Sequence, residues 1–474
     1  MKMFNKFPRT FWIANTIELF ERWAWYGFFM LFANYLTRSS DLGGLEFSQS
    51  QKGLLMGVGT GILYFLPVVT GAIADRYGYK KVMCASFVVY ISAFVLLPMF
   101  KTFTGVFAMY LYLAVGAALF KPIIQATVAK TTTEETSSIG FGIFYMMVNV
   151  GAFFGPLVTL LFKDSSHLVF YVSAAFIALN FILLAFYKEP GRETYEKPAG
   201  SLFTSIADIF RNMWEVLKDV RFVVFLLIVA GFWAMYNQLF FTLPVFVSQW
   251  VDTRALYDFF HDYMPFFSEN YSAAPGVMDA EFVTNMDACY IILFQVLVSG
   301  IVMRLKPLHS MMTGFLVCSI GMALTFMSQN VLFTLVAIFV FSLGEMAGSP
   351  KIAEYIGRIA PADKKALYMG YSFVPVFLGS ILAGFISGVV YQNMSDKVML
   401  TRRFAAEKGL TISDGLSTNA YFEEVALQAN MTAGELTNHL WNIYAPSRLW
   451  VVLLGVGVFA VLLLYIYDKV ITKK

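Results

Sequence analysis

The sequence predicts an all-α membrane protein that crosses the bilayer twelve times. Its 474 residues are 58% apolar and only 14% charged, and a soluble domain has too little interior to bury so much apolar surface. Apolar stretches of about 20 residues follow one another along the chain, which is the length an α-helix needs to cross a hydrocarbon layer of about 30 Å. Over such lengths in lipid, an α-helix satisfies its own backbone hydrogen bonds.

A polar stretch at residues 188–221 divides the predicted spans six and six. We therefore expect an N-terminal six-helix bundle at residues 1–190 and a C-terminal six-helix bundle at residues 222–474. The linker between them, residues 191–221, is expected to carry an amphipathic helix on the cytoplasmic surface. The predicted spans lie near residues 11–37, 51–75, 81–100, 103–128, 139–163, 167–187, 222–250, 286–303, 309–328, 331–357, 366–391 and 447–468.

The basic residues predict the orientation, because Lys and Arg collect on the cytoplasmic side of membrane proteins. The opposite side has two long insertions, 251–284 and 392–446, and Arg254 is the only strong base in the first. The second insertion is either a small external cap, with helices near 420–429 and 434–444, or variable decoration. We expect a multi-pass protein of the cell (inner) membrane with both termini in the cytoplasm. The bases on that side are Lys2, Lys6, Arg9, Arg76, Lys80, Lys81, Lys130, Arg304, Lys306, Arg358, Lys364, Lys365, Lys473 and Lys474.

Residues 18–27 place two carboxylates and an arginine inside the first predicted span. One such charge at mid-membrane costs roughly 2.5–3.5 kcal/mol, so Glu18, Glu21 and Arg22 must face water or each other. Glu18, Arg22 and Trp25 share one helical face. This face is predicted to handle solute and protons; the alternative is an ion-pair cluster that only locks helices together.

The loop at residues 71–81 has the spacing G-x-x-x-D-R-x-G-x-K-K, which is similar to the loop signature of the major facilitator superfamily. Gly71 and Gly78 allow a tight turn and close helix approach, and Arg76 can anchor the cytoplasmic face. Asp75 is expected to bond a neighbouring helix N-terminus. The alternative is an ordinary basic loop.

Several motifs together resemble the proton-dependent oligopeptide transporter family of that superfamily. Residues 18–27 resemble its E-x-x-E-R-F-x-Y-Y-G motif, with Trp23 for the Phe and Trp25 for the first Tyr. The resemblance implies twelve helices in two pseudo-symmetric six-helix bundles, with a solute site between them. The further matching segments are 64–67, 119–122, 144–151, 232–238 and 344–361.

The resemblance implies roles for the charged residues. Arg22 and Lys121 would bind the negative end of a solute and Glu345 its positive end, while Glu18 and Glu21 would take the proton. Lys121 is expected to pair with Glu18 or Glu21, or else to snorkel to the surface. Glu345 could instead make a helix-packing hydrogen bond.

Six uncharged or acidic residues complete the solute site that the resemblance implies, and for Tyr26, Tyr64, Asn149 and Trp233 the alternative is helix packing. Trp25 is also expected to help wall the pocket. Asp287 stands where the family usually has Asn, and either the cavity or the outer mouth fits it. The six are Tyr26, Tyr64, Asn149, Trp233, Asn237 and Asp287.

Three positions depart from the family pattern. Phe29 and Asn237 replace an arginine and a glutamate that pair in many members, and Ser372 replaces a tryptophan. Because both charges are missing together, one latch between the bundles is absent and the usual proton coupling is in doubt. The short linker also leaves no room for the two extra helices that many bacterial members carry.

We therefore expect proton-coupled import of di- or tripeptides, or a related small zwitterion, by alternating access. The partners are a small solute, protons and lipid, with no nucleic acid, no cofactor and no metal, and the protein is expected to be a monomer. The first alternative is the same fold carrying nitrate, a nucleoside, a sugar or a drug. A membrane enzyme is disfavoured because the four histidines are dispersed and no nucleophile or phosphate-binding motif is present. A receptor is disfavoured because no soluble output domain is present.

Overall fold

The computed structural model of this protein describes residues 7–133, 136–163, 165–191, 202–361 and 365–470. In that part of the chain, ten helices are long and apolar enough to cross a membrane, and the bent pair Gln49–Phe65 and Pro67–Tyr77 makes an eleventh. Helix Arg9–Thr37 is the twelfth, because its 29 residues are long enough even though it carries the charged motif. The structure thus confirms the predicted all-α fold of twelve membrane helices.

The first half of the molecule contains spans 1 to 6, and span 2 bends at Leu66, before Pro67. These spans are Arg9–Thr37 (span 1), Gln49–Phe65 with Pro67–Tyr77 (span 2), Tyr79–Leu96 (span 3), Phe103–Lys130 (span 4), Ser137–Leu160 (span 5) and Ser166–Phe186 (span 6).

The second half contains spans 7 to 12, and two of them are interrupted. Span 7 breaks at Asn237 and Thr242, and span 11 contains the π-helical turn Ile386–Val390. These spans are Val220–Tyr236, Gln238–Phe241 and Leu243–Trp250 (span 7), Met286–Val302 (span 8), Pro307–Thr325 (span 9), Val331–Ile359 (span 10), Lys365–Gly370, Val374–Phe385 and Tyr391–Met394 with the turns between them (span 11), and Leu449–Val470 (span 12).

Glycines set the position of span 1, which carries the charged motif. Span 1 packs against spans 5 and 6. A Cβ on Gly151 would lie 2.7 Å from Cβ of Arg22, and one on Gly155 would lie 2.5 Å from the carbonyl oxygen of Trp23. Since Cβ atoms do not approach so closely, only glycine lets the helix backbones meet here. This contact fixes the depth and direction of the charged face.

A second glycine contact joins the two halves, where span 2 packs against span 11. A Cβ on Gly57 would lie 2.9 Å from Cα of Gly384, and Gly53 and Gly384 leave even less space for each other. This contact lies at one end of the bundles, near the segments 38–48, 161–165, 251–285 and 395–448, which we call the loop-rich side. The opposite end is the basic side.

The insertions on the loop-rich side are folded. The first contains two short helices, Arg254–Tyr263 and Pro265–Asn270, an antiparallel pair of strands and the helix Ala280–Thr284. The strands are Ser272–Ala274 and Val277–Met278, with Ser272 opposite Met278 and Ala274 opposite Val277. The second insertion contains three helices that pack on one another: Lys397–Glu407, Thr418–Gln428 and Ala433–Tyr444.

These three helices, which we call the cap, belong to the second half but are held by the first. The backbone N–H of Thr418 donates to Glu46 Oε1 at 2.8 Å, and that of Asn419 donates to Ser39 Oγ at 2.9 Å. Asn419 Nδ2 also donates to Asp41 Oδ2 at 3.2 Å. Burial favours a higher pKa for Glu46, but hydrogen bonds from the Ser40 and Thr418 backbones hold its pKa below the usual value. Acidic side chains thus hold a helix N-terminus, as the helix dipole favours.

The linker contains the described helix Leu202–Leu217. Phe203, Phe210 and Trp214 are exposed and recur at helical spacing, so one face of this helix is apolar. Residues 192–201 of the linker lie outside the described residues. So do five bases on which the predicted orientation rests: Lys2, Lys6, Lys364, Lys473 and Lys474.

Candidate functional site

The charged motif of span 1 forms a compact, buried cluster. Arg22 Nε lies 3.1 Å from Glu18 Oε1, and its Nη2 lies 2.5 Å from Glu21 Oε2. The Tyr90 hydroxyl of span 3 donates to Glu21 Oε1 at 2.5 Å. Glu21 has no exposed surface, and Glu18 and Arg22 are at most 6% exposed. The charges therefore compensate one another rather than facing lipid.

Lys121 of span 4 lies near this cluster, but the predicted ion pair with Glu18 or Glu21 is wrong for this conformation. Its ammonium lies 4.0 Å from the ring centre of Tyr64, which is a cation–π contact. Within the described residues, the carboxylates of Glu18 and Glu21 have Arg22 as their ion-pair partner within 4.0 Å. Because Arg22 already occupies both acids, the lysine takes an aromatic face instead.

The predicted tyrosines lie between the halves. The Tyr26 ring is 6.1 Å from Phe240 of span 7, and the Tyr64 ring is 6.3 Å from Phe373 of span 11. Tyr26 interacts electrostatically with Arg22 of its own helix and with Glu345 of the other half. It is therefore placed between the positive and negative groups of the site.

Asn149 of span 5 uses one donor locally. Its Nδ2 donates to the Tyr145 carbonyl oxygen at 2.8 Å, one helical turn earlier. The Tyr145 side chain is 36% exposed and interacts electrostatically with Glu345 and Asp287. Span 5 thus presents polar groups toward the second half.

Two buried acids lie on the second half. The Tyr236 hydroxyl donates to Glu345 Oε1 at 2.8 Å, and Ser342 Oγ donates to Asp287 Oδ1 at 2.5 Å. Asp287 is 5% exposed and Glu345 is 7% exposed. Ser342 and Glu345 are three residues apart on span 10, so Asp287 is held beside Glu345. Asp287 therefore lies beside the other acid that is expected in the solute site.

Asn237 and Trp233 contact their own half. Asn237 Nδ2 donates to Ser380 Oγ of span 11 at 3.3 Å, which occupies one of its donors. Trp233 packs edge-on against Tyr236, with the ring centres 4.9 Å apart. The structure does not bring Asn237 to Arg22 or Lys121 through any contact among the described residues.

The departure at Phe29 has a clear structural counterpart. Its ring lies 5.5 Å from Phe240 and 6.1 Å from Phe241, both of span 7. Trp25 stacks on Phe29 at 5.2 Å and is 6% exposed, so it is packed between rings rather than open to a pocket. An aromatic contact therefore joins the halves where the family pattern has an ion pair.

The loop motif between spans 2 and 3 corrects one expectation. Asp75 accepts a hydrogen bond from the Tyr79 hydroxyl at 3.1 Å, and no side chain caps the backbone of span 3. Lys130 also donates to the Tyr79 hydroxyl at 2.9 Å. Gly78 is required by its φ of 94°, whereas a Cβ on Gly71 would meet only Pro122, at 3.9 Å.

Sequence reasoning missed a polar network that joins the halves on the loop-rich side. Lys163 Nζ lies 2.5 Å from Asp279 Oδ2, and Asn34 Nδ2 donates to Glu281 Oε1 at 2.7 Å. Arg38 Nη2 lies 3.6 Å from the same Glu281 oxygen. Burial and the neighbouring Glu281 raise the pKa of Asp279 to about 6, against the opposing effect of Lys163. These polar loop residues are far apart in the sequence, and no sequence pattern indicates that they pair.

Comparison with known sequences agrees with these features. The family model of the Major Facilitator Superfamily matches residues 15–253. The uncharacterized MFS-type transporter YqjV of Bacillus subtilis (strain 168) is 24% identical over 351 residues, 72% of this chain and 78% of that protein. The multidrug resistance protein MdtH of Salmonella newport (strain SL254) is 25% identical over 367 residues, 76% of this chain and 82% of that protein.

Solved structures share the fold at low sequence identity. A POT family transporter in complex with 5-aminolevulinic acid superposes with a TM-score of 0.68 at 16% identity, covering 98% of this chain and 96% of that one. One in complex with a thioalcohol-conjugated peptide gives 0.71 at 16% identity, with the same coverage. The nucleoside transporter NupG gives 0.69 at 13% identity, covering 97% of this chain and 100% of that one.

Proposed function

Since this chain belongs to the major facilitator superfamily, we propose that it is a secondary active transporter that imports di- or tripeptides, or a related small zwitterion, together with protons. The solute site lies between the two halves near mid-membrane. No enzymatic activity forms part of this proposal. The protein acts as a monomer in the cell (inner) membrane, with the basic side in the cytoplasm.

One observation carries this proposal: the two halves bring different charges to the site. The bases Arg22 and Lys121 belong to the first half, together with Glu18 and Glu21, whereas the second half brings the acids Asp287 and Glu345, and Tyr26 interacts electrostatically with Arg22 and Glu345. A zwitterion of peptide length can place its ammonium toward the acids of the second half, and its carboxylate toward the bases of the first half once a proton has released Arg22 from its own acids. A neutral sugar would leave the acids of the second half without a positive partner.

Proton coupling follows from the cluster of span 1. Arg22 is held by Glu18 and Glu21. When a proton neutralises one of these acids, the attraction on the guanidinium falls and Arg22 can bind the carboxylate of the solute. Proton and solute binding thus favour each other, because each removes the same internal ion pair.

Alternating access follows from the contacts between halves. The glycine contact of spans 2 and 11, the network of Lys163 and Asp279, and the cap all lie on the loop-rich side. In this conformation the halves are joined there, and we propose that the solute path leads to the basic side. If these contacts separate, the solute path would open to the loop-rich side instead.

A second candidate is the same fold carrying another solute. It is supported by Phe29 and Asn237, which remove a charged latch, and by similarity to a protein named for multidrug resistance and to the structure of a nucleoside transporter. The structures with 5-aminolevulinic acid and a peptide conjugate favour the zwitterion. The aromatic contact between the halves at Phe29 is compatible with either solute.

Uptake into proteoliposomes tests both candidates. With an inward proton gradient, we expect labelled alanyl-alanine to accumulate, and Glu18→Gln combined with Glu21→Gln to abolish the dependence on the gradient. Lys469→Gln, at the far end of span 12, changes a charge outside the proposed site and should keep the dependence on the gradient. If alanyl-alanine does not move while a nucleoside or a drug does, the second candidate replaces the first.

A further inference from the structure

A cavity on the loop-rich side lies apart from the expected solute site. Its volume is about 550 Å³, which is within the usual range of small-molecule sites. The ends of spans 1 and 7, the hairpin of the first insertion and the first two helices of the cap form its wall, and the described residues that line it include none from the expected solute site. Because both halves contribute to the wall, the cavity exists while the loop-rich side is closed.

Basic side chains outnumber acidic ones on this wall. Arg38, Lys163 and Lys397 line the cavity, against Asp279 alone among the described residues. Lys163 Nζ lies 2.5 Å from Asp279 Oδ2 and donates to the Ser272 carbonyl oxygen at 2.6 Å. These two charges therefore compensate each other, and two cations remain.

The Lys397 ammonium has no anionic partner in the described part of the chain. It lies 4.4 Å from the ring centre of Phe422 and 5.8 Å from that of Trp250, and no Asp or Glu oxygen lies within 4.0 Å of it. Asp396, the preceding residue, instead accepts hydrogen bonds from two glutamine side chains. A partly buried cation without a counter-ion gains from an anion that enters the cavity.

The Arg38 guanidinium has only one loose contact with an acid. Its Nη2 lies 3.6 Å from Glu281 Oε1, an oxygen that already accepts from Asn34 Nδ2 at 2.7 Å. No hydrogen bond joins the guanidinium to another described residue, and 38% of the side chain is exposed. Its N–H groups are therefore available to a carboxylate.

Two further acids lie behind the part of the wall that the cap forms. Glu46 and Asp41 accept hydrogen bonds from residues at the N-terminus of helix Thr418–Gln428, whose dipole compensates them in part. Neither of them lines the cavity. Since Glu281 compensates Arg38 and Asp279 compensates Lys163, the charge of Lys397 remains for a ligand to match.

Apolar side chains make up much of the remaining wall. They come from span 7, the hairpin and both cap helices, so they surround the cavity rather than forming one patch. A ligand with an apolar body would displace water from this surface. These side chains include Val245, Val277, Met278, Val398, Tyr421 and Phe422.

We propose that this cavity binds a small organic carboxylate with an apolar body, whose carboxylate is held by Lys397 and attracted by Arg38. A free organic acid and the C-terminus of a peptide present the same chemistry here. The site is separate from the solute site, so the proposal does not depend on which solute the protein carries.

Binding of N-acetyl-phenylalanine to the full chain in nanodiscs tests the site. We expect this acid to bind about tenfold more tightly than its uncharged amide, N-acetyl-phenylalaninamide, because the amide lacks the charge-assisted contact. Acetate, which lacks the apolar body, should bind about tenfold more weakly than the acid. Both ratios are measured on the unaltered protein, so they hold even if a variant fails to fold.

Lys397→Met removes the charge and keeps an unbranched side chain. It should reduce the preference for the acid over the amide to less than about threefold. The matched control is Lys408→Met, since Lys408 caps the other end of the same cap helix and lies 5.9 Å from the ring centre of Phe404, but does not line the cavity. This control should keep the preference.

Alanyl-phenylalanine distinguishes the two sources of the carboxylate. If Lys397→Met weakens binding of N-acetyl-phenylalanine alone, the cavity takes free organic acids. If it also weakens binding of alanyl-phenylalanine, the cavity takes the C-termini of peptides as well. Both results support the carboxylate site.

The opposing outcomes are equally definite. Equal binding of the acid and the amide, or a preference that survives Lys397→Met, overturns the site, and equal binding of acetate overturns the apolar part of the ligand. None of these measurements involves transport. A preference that depends on Lys397, in a protein that does not take up alanyl-alanine, supports the site and overturns the proposed function; the reverse pair of results overturns the site alone.

Discussion

The charged cluster of span 1 and the acid pair of the second half are opposite solutions to burying charge in a membrane. In the cluster, Arg22 lies within 3.1 Å of Glu18 and 2.5 Å of Glu21. In the acid pair, the hydrogen-bond donors to Asp287 and Glu345 among the described residues are hydroxyl groups. The first arrangement is compensated without solute and is disturbed by losing a member. The second has no cation among the described residues and is costly as long as both acids are charged.

The largest expected effect breaks the complete cluster. Arg22→Met should lower the free energy of unfolding by about 3–5 kcal/mol, because Glu21 would stay fully buried without its cation. Thermal unfolding in detergent measures this change. Combining it with both Glu18→Gln and Glu21→Gln should restore most of the loss, since neither acid of the cluster then remains as an uncompensated charge. Unchanged stability of the single variant would show that the ion pair is not what holds the cluster.

Asp279 is an intermediate case, since it has both a cation and a neighbouring acid. Its pKa in the folded protein, about 6, lies above the usual 3.8. The folded state therefore binds this proton more tightly, and the resulting stability is full below pH 3.8 and lost as the pH rises through 6. The free energy of unfolding should fall by up to about 3 kcal/mol over that range. Asp279→Asn should remove this part of the pH profile; an identical profile in both proteins would contradict the expectation.

Glu345→Gln tests the acid pair of the second half in the same way. The solute-free protein should become more stable by about 1 kcal/mol, because a buried charge without a cation disappears. Glu21→Gln should have the opposite sign, since it leaves Arg22 with one acid fewer. The melting temperatures of the two variants, each compared with that of the unaltered protein, give the sign of the two stability changes. The same sign in both would mean that the two regions do not differ in compensation.

The smallest effect concerns Lys121, which is held by an aromatic face. Replacing Tyr64 with Leu removes the ring and should cost about 1 kcal/mol, whereas Tyr64→Phe keeps the ring and should cost less. Thermal unfolding of the two variants gives the difference. If both cost the same, the hydroxyl rather than the ring face supports the lysine.

The fold was predictable because membrane spans depend on local composition. Each predicted span overlaps an observed helix. This includes span 1, which a hydropathy criterion does not identify because it contains four charged residues. The proximity of Glu18, Glu21 and Arg22 was also predictable, since residues three and four apart share a helical face.

Other features depend on how the helices meet, which local sequence does not encode. The pairing of Lys121 with an acid was the reasonable electrostatic expectation, yet the ring of Tyr64 from span 2 competes for it. The placement of Asp287 beside Glu345 required the packing of span 8 on span 10. The contact of Gly53 and Gly57 with Gly384 joins residues more than 300 positions apart, and glycine spacing in one helix does not identify its partner.

The attachment of the cap has a consequence for movement. The chain connects the cap to span 11 at one end and to span 12 at the other. Glu46, Asp41 and Ser39 of the first half form hydrogen bonds with the N-terminus of helix Thr418–Gln428. When the two halves separate on the loop-rich side, the hydrogen bonds between the cap and the first half break, or the cap moves with the first half. In the second case the segments that connect the cap to spans 11 and 12 must extend. Glu46 makes this contact from a left-handed backbone, with φ of 54°, a conformation that costs a non-glycine residue free energy. Opening on this side is therefore coupled to the cap, which either loses its hydrogen bonds to the first half or changes its position relative to the second.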